Sequence, residues 1–235
     1  MQKQAWTWTT PHFKEAARLI RWGHFGTPVL IFPTAGGDFE EIERFHLIDA
    51  LGELIDQGRI KAYSVDGLGV RAWLSARSTA QASTQLQNAT DTFIYEDVLQ
   101  RIRVDCQDQR IEPILAGASR GAAVAVATLC RHPELFRAAI GMSGLYDWAG
   151  DCSTGFQPLA SLTAISGPQL EKLRKRVIVL GTGEGDYERA DDSRHLSQTL
   201  AAKGIPCRLN LWGPARSHTW STWLDLFPSL LADNL

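Results

Sequence analysis

Short apolar runs alternate with longer stretches of helical periodicity along almost the whole chain, and this alternation restricts the fold more than any other feature. The runs lie at 16–23, 28–34, 60–67, 111–118, 138–144, 176–182 and 207–213, and the intervening periodic stretches predict helices near 39–57, 84–104, 120–131, 190–203 and 218–233. Continuous apolar strands must be covered on both faces, and crossover helices supply that cover. The expected fold class is therefore α/β, with a mostly parallel central sheet and helices on both sides. In the helix expected at 39–57, Asp38 offers an N-cap, Phe45, Leu47, Ile48, Leu51 and Leu54 recur near helical spacing, and Gly58 offers a stop. Pro133 ends the helix expected at 120–131 in the same way.

A chain of 235 residues with no internal repeat, low-complexity tract or long linker is expected to form a single domain over 1–235. Residues 147–168 are irregular enough to form a rim or a small cap, so the fold is expected to carry little or no cap. A net charge of −2 gives no electrostatic reason to expect nucleic acid or an anionic membrane as partner. No window approaches the roughly 18 apolar residues of a membrane span, and the N-terminus lacks a secretory apolar core, so a cytoplasmic location is the default. Cys106, Cys130, Cys152 and Cys207 show neither paired zinc-ligand spacing nor a CxxC, which predicts ordinary buried thiols and no metal site.

The stretch "AGASRGAAVA" at 116–125 places Ser119 between Gly117 and Gly121, after an apolar strand and before an alanine-rich helix. A hydroxyl becomes a nucleophile only with a nearby base, exposure to substrate and donors for the oxyanion that forms. A sharp strand-to-helix turn supplies the exposure, and the glycines let neighbouring backbone approach. The plainer alternative is that Ser119 caps the helix. Such an elbow serine predicts an acid after a late strand and a histidine after the last one. His218, in "LWGPARSHTWSTW", is the histidine that follows the last strand through a Gly/Pro loop. The acid should come from "GTGEGDYERADD", where Asp186 takes first place and Glu188 second. Backbone amides of Arg120 and of Ala35, in "FPTAGGDFEE", are the expected oxyanion donors, with Gly36 as the alternative to Ala35.

Together, "FPTAGG", "GASRG", "RHPELFRAAIGMSGLYD", "GTGEGD" and "SHTWSTW" resemble the α/β-hydrolase superfamily, and within it the esterase group that includes esterase D and the feruloyl and acetyl esterases. The resemblance spans residues 28–225 and implies an α/β-hydrolase fold, cleavage of a small-molecule carboxylic ester, no cofactor, and a triad of Ser119, Asp186 and His218. The chain departs from it at the oxyanion loop, where "FPTAGG" stands in place of a His-Gly pair. Asp66, Gly67, Arg71 and Trp73, and also Tyr146, Asp147, Trp148 and Trp220, fall near strand ends where a pocket would be lined. Two rival functions remain open from sequence: a non-catalytic binding protein on the same fold, and an acyltransferase using the same residues.

Overall fold

The computed structural model describes residues 1–69, 80–146, 162 and 164–235. Among these, eight strands form one sheet: β1 (Lys3–Trp8), β2 (Ala17–Trp22), β3 (Thr27–Phe32), β4 (Ile60–Val65), β5 (Ile114–Ala118), β6 (Ala138–Met142), β7 (Val177–Thr182) and β8 (Cys207–Leu211). Their order is β1-β2-β4-β3-β5-β6-β7-β8. β2 runs antiparallel to β1 and β4, and every other neighbouring pair is parallel.

Side chains alternate along each central strand between two buried layers. Leu30, Phe32, Leu115 and Ala139 enter one layer, and Val29, Ile31, Ile114, Ala116, Ile140 and Met142 enter the other. The first layer is closed by a π-helical turn at Phe93–Val98, into which α4 (Ala80–Thr92) leads, and by α5 (Leu99–Cys106), α6 (Arg120–Arg131), α7 (Gly167–Leu173) and α8 (Ala190–Ala202). The second is closed by α1 (Glu41–Arg44), α2 (Leu47–Ala50), α3 (Gly52–Asp56) and α9 (Trp220–Ala232). Each fully buried Leu, Ile or Phe contributes about 1.5–3 kcal/mol of transfer free energy, so the doubly covered strands carry most of the stability. β4 is buried along its length yet carries Lys61 and Tyr63; both donate to the Asp105 carboxylate, at 2.9 and 2.5 Å, which ties α5 to the sheet.

Three expectations differ from the structure. The helix expected over 39–57 is three short helices, because His46 adopts φ +64 and reverses the chain after α1, its ring nitrogen 2.9 Å from Asp49 Oδ2. β1 lies outside the expected strands: it is an edge strand with Lys3, Gln4, Ala5 and Thr7 exposed, so no apolar run marks it. No helix is expected between the irregular segment and the strand at 176–182, yet α7 starts there, after Ser166 and with Pro168 in its first turn. Residues 147–161 and 163, where the rim or cap is expected, lie outside the described residues.

The β5–α6 junction fixes the middle of the sheet. A methyl group on Gly117 would lie 2.6 Å from the Gly121 carbonyl oxygen, and one on Gly121 would collide with the Phe32 carbonyl and lie 2.7 Å from that of Pro33. α6 therefore rests on the end of β3 at a distance only glycine permits. Gly121→Ala is expected to lower stability by about 1–3 kcal/mol in urea denaturation. A change below about 0.5 kcal/mol would mean that the β3 end moves aside freely.

Candidate active site

The site assembles where parallel strands end. Ser119 lies between β5 and α6 with φ +54 and ψ −118, a conformation that costs a non-glycine residue about 1–3 kcal/mol. Its N–H donates to the Met142 carbonyl at 2.9 Å, locking the turn to β6. At the end of β6, Ser143 is also in the left-handed region, φ +47, and its N–H donates to the Gly181 carbonyl at 2.7 Å. These bonds align the ends of β5, β6 and β7.

His218 follows β8. Its main-chain N–H donates to the Asp186 carbonyl at 3.0 Å, and its ring meets the Trp223 ring edge-on with centroids 5.1 Å apart. His218 Nδ1 lies 3.5 Å from Glu188 Oε2, and the Glu188 side chain is 1% exposed. Ser143 Oγ donates to Glu188 Oε1 at 2.6 Å, and Thr182 Oγ1 donates to Oε2 at 3.2 Å. Trp223 Nε1 donates in turn to Ser143 Oγ at 3.0 Å. Burial alone would raise the Glu188 carboxyl, but the neighbouring His218 imidazole and hydrogen bonds from Ser143 and Thr182 outweigh it and hold the group below its ordinary value.

Asp186, the first-placed acid, is exposed, and what joins it to His218 is its main-chain carbonyl. The reason is local. Tyr187 adopts φ +63, so the chain reverses between the two carboxylates, with Asp186 toward solvent and Glu188 inward. The Asp186 N–H donates to Ser217 Oγ at 3.2 Å, and Gly185 N–H to the Arg216 carbonyl at 2.9 Å, so this loop is laced to the His218 loop through main chain.

Ala35 and Gly36 are the central residues of a turn closed by the Gly37 N–H on the Thr34 carbonyl at 3.1 Å, with Gly36 at φ +77. This turn follows directly from the Phe32–Pro33 segment on which Gly121 rests, so it sits beside the Ser119 elbow. Arg120 opens α6, and its guanidinium is buried, which pulls its pKa down to about 10.

Of the other residues read as pocket-lining, Asp66 has a fully buried carboxylate that accepts from Arg18 Nε at 2.8 Å. Tyr146 is buried in the core against Gly141 and Gly144, so it lines no open pocket. Trp220 stacks on Phe45 at 4.7 Å and edge-on against Trp223 at 5.1 Å. Arg71, Trp73, Asp147 and Trp148 lie outside the described residues. Ser143 and Thr182 carry one signal in the sequence, a hydroxyl at the end of an otherwise apolar strand, and Glu41 carries none beyond its place in an expected helix. Among the described residues, no three His, Cys, Asp or Glu side chains are grouped so as to hold a metal ion, and no helix is long and apolar enough to cross a membrane.

The sheet order and the strand–turn–helix elbow define an α/β-hydrolase fold. Solved structures of the same fold include a ferulic acid esterase, 16% identical with a TM-score of 0.75 over 98% of this chain and 96% of that one. An S-formylglutathione hydrolase from Agrobacterium tumefaciens is 12% identical, TM-score 0.70, over 99% and 95%. Another from Staphylococcus aureus is 12% identical, TM-score 0.68, over 98% and 95%. No curated protein matches the chain. The family model described as "Putative esterase" matches residues 30–233, and the chain belongs to that family, which makes it a carboxylic-ester hydrolase.

A carboxyl whose folded pKa is lowered contributes stability that is present above its unfolded pKa and lost as pH falls through the folded one. Ser143→Ala removes a donor to Glu188 and leaves the Trp223 indole N–H unpaired, so stability at pH 7 is expected to fall by about 1–3 kcal/mol. The deficit should narrow on acidification to about pH 3, measured by urea denaturation at both values. An equal deficit at both would show that Ser143 gives nothing to the ionised carboxylate.

Proposed function

We propose that the chain hydrolyses small-molecule esters through an acyl-enzyme, with Ser119 as nucleophile, His218 as general base and acid, and Glu188 as the carboxylate partner of His218. The observation that carries this reading is the buried Glu188 carboxylate beside His218 Nδ1, with two hydroxyl donors aiming it. It replaces the expectation of Asp186 in that role.

In the first half-reaction His218 Nε2 takes the Ser119 hydroxyl proton as Oγ attacks the ester carbonyl. Negative charge collects on the carbonyl oxygen, where the amides of Arg120 and Ala35 donate to it. The intermediate collapses, the bond to the alcohol oxygen breaks, and His218 returns the proton to the leaving alcohol. Water then gives a proton to His218 and attacks the acyl-serine; as the acyl–Oγ bond breaks, His218 returns that proton to Ser119 Oγ and the carboxylic acid is released. Glu188 stabilises the imidazolium in both halves and fixes the tautomer that leaves Nε2 free to accept. Its lowered pKa keeps it ionised at neutral pH.

One continuous sheet uses strands from both ends of the chain, which supports reading 1–235 as a single domain. The free thiols of Cys106, Cys130 and Cys207 suit a cytoplasmic, reducing compartment.

A fluorophosphonate probe should label Ser119, and Ser119→Ala should lose both labelling and at least ~10³-fold of p-nitrophenyl acetate turnover. Glu188→Gln should lower kcat by about 10³–10⁴-fold, whereas Asp186→Asn should stay within about threefold. A folded protein that never labels would favour the binding-protein reading. The reverse order of the two acid variants would return the role to Asp186.

A further inference from the structure

The turn that carries Ala35 is held by a buried carboxylate with no part in the Ser–His–Glu arrangement. Glu41, in the first turn of α1, is 5% exposed. Its Oε2 accepts the Thr34 main-chain N–H at 2.7 Å, and its Oε1 accepts the Thr34 hydroxyl at 2.5 Å. The carboxylate also fills the space beside Gly37: a methyl group there would lie 2.7 Å from Glu41 Oε2. On the far side, the Gly37 carbonyl is packed so closely that a methyl group on Gly67 would lie 2.7 Å from it. The turn is thus gripped at its first and last residues, and the two residues between them, Ala35 and Gly36, are the ones presented outward, both exposed.

Burial disfavours this charge. Desolvation outweighs the two Thr34 hydrogen bonds and raises the Glu41 carboxyl, with Asp38 adding to the rise and Arg44 opposing it. What offsets that cost is the pair of Thr34 donors the carboxylate accepts, which an apolar residue in the same space would leave unpaired.

We infer that Glu41 is a positioning residue for the oxyanion turn: by accepting both Thr34 donors it fixes the direction in which the Ala35 amide points. The inference rests on the reading of Ala35 as an oxyanion donor. Donors act on charge that exists only in the transition state, so their misplacement lowers kcat and leaves KM nearly unchanged. Displacement of about 1 Å is enough to cost roughly 100-fold. Glutamine can reproduce the grip, because its carbonyl can accept the Thr34 N–H while its NH₂ donates to the Thr34 hydroxyl, which accepts as readily as it donates.

The test combines p-nitrophenyl acetate kinetics with inhibition by phenylboronic acid, which forms a tetrahedral boronate anion when Ser119 Oγ bonds to boron and the serine proton passes to His218. For Glu41→Ala, kcat should fall about 10–100-fold with KM within about threefold, and boronate affinity should fall by a similar factor. Glu41→Gln should recover most of both. If Glu41→Ala does not fold, Thr34→Val decides, since it removes only the hydroxyl arm; kcat and boronate affinity should each drop about 3–10-fold. Wild-type kcat and boronate affinity in the folded variant would overturn the inference, as would a rise in KM with boronate affinity retained. Failure of the proposed reaction is a separate outcome, since the unmodified protein would then neither label at Ser119 nor turn over the ester.

Discussion

Contact between the start of α6 and the end of β3 is the constraint on which the rest of the site depends. Ser119 holds a left-handed conformation that its own side chain disfavours, and it is kept there because the surrounding backbone leaves no other path. Gly117 against Gly121, and Gly121 against the Phe32 and Pro33 carbonyls, close that path. The same contact sets where the chain leaves β3, and hence where the Thr34–Gly37 turn stands relative to the serine. The Ser119 elbow and the Thr34–Gly37 turn are two consequences of one close approach.

The site also has a brace running around its far side. Phe45, at the end of the helix that carries Glu41, stacks on Trp220; Trp220 meets Trp223, and Trp223 touches the His218 ring. Trp223 donates to Ser143, and Ser143 to Glu188. Aromatic pairs of this kind contribute about 0.5–1.5 kcal/mol each beyond their burial. Their larger effect is geometric, because the Thr34–Gly37 turn and His218 come from loops about 180 residues apart in sequence and would otherwise drift independently.

What was legible in the sequence follows from how burial writes itself into residue choice. β3, β5, β6 and β7 are covered on both faces, so each is an apolar run that declares itself. β1 is an exposed edge strand and leaves no such mark. The helix expected at 39–57 has the right periodicity but breaks at His46, where tertiary packing sends Phe45 out to Trp220 and overrides local preference. Tyr187 behaves likewise: nothing in "GEGDYERADD" announces a positive φ, yet that one dihedral separates the outward Asp186 from the inward Glu188.

The sequence by itself determined the α/β class, the glycine-flanked turn at Ser119 and the order in which serine, acidic loop and histidine arrive, because these are encoded by composition and spacing along the chain. Only the tertiary structure decided which carboxylate faces His218, that Ser143 and Thr182 donate to it, and that Glu41 grips the Thr34–Gly37 turn. Those outcomes depend on which buried groups must find partners across elements distant in sequence, and a residue's neighbours in space are not written in its neighbours in the chain.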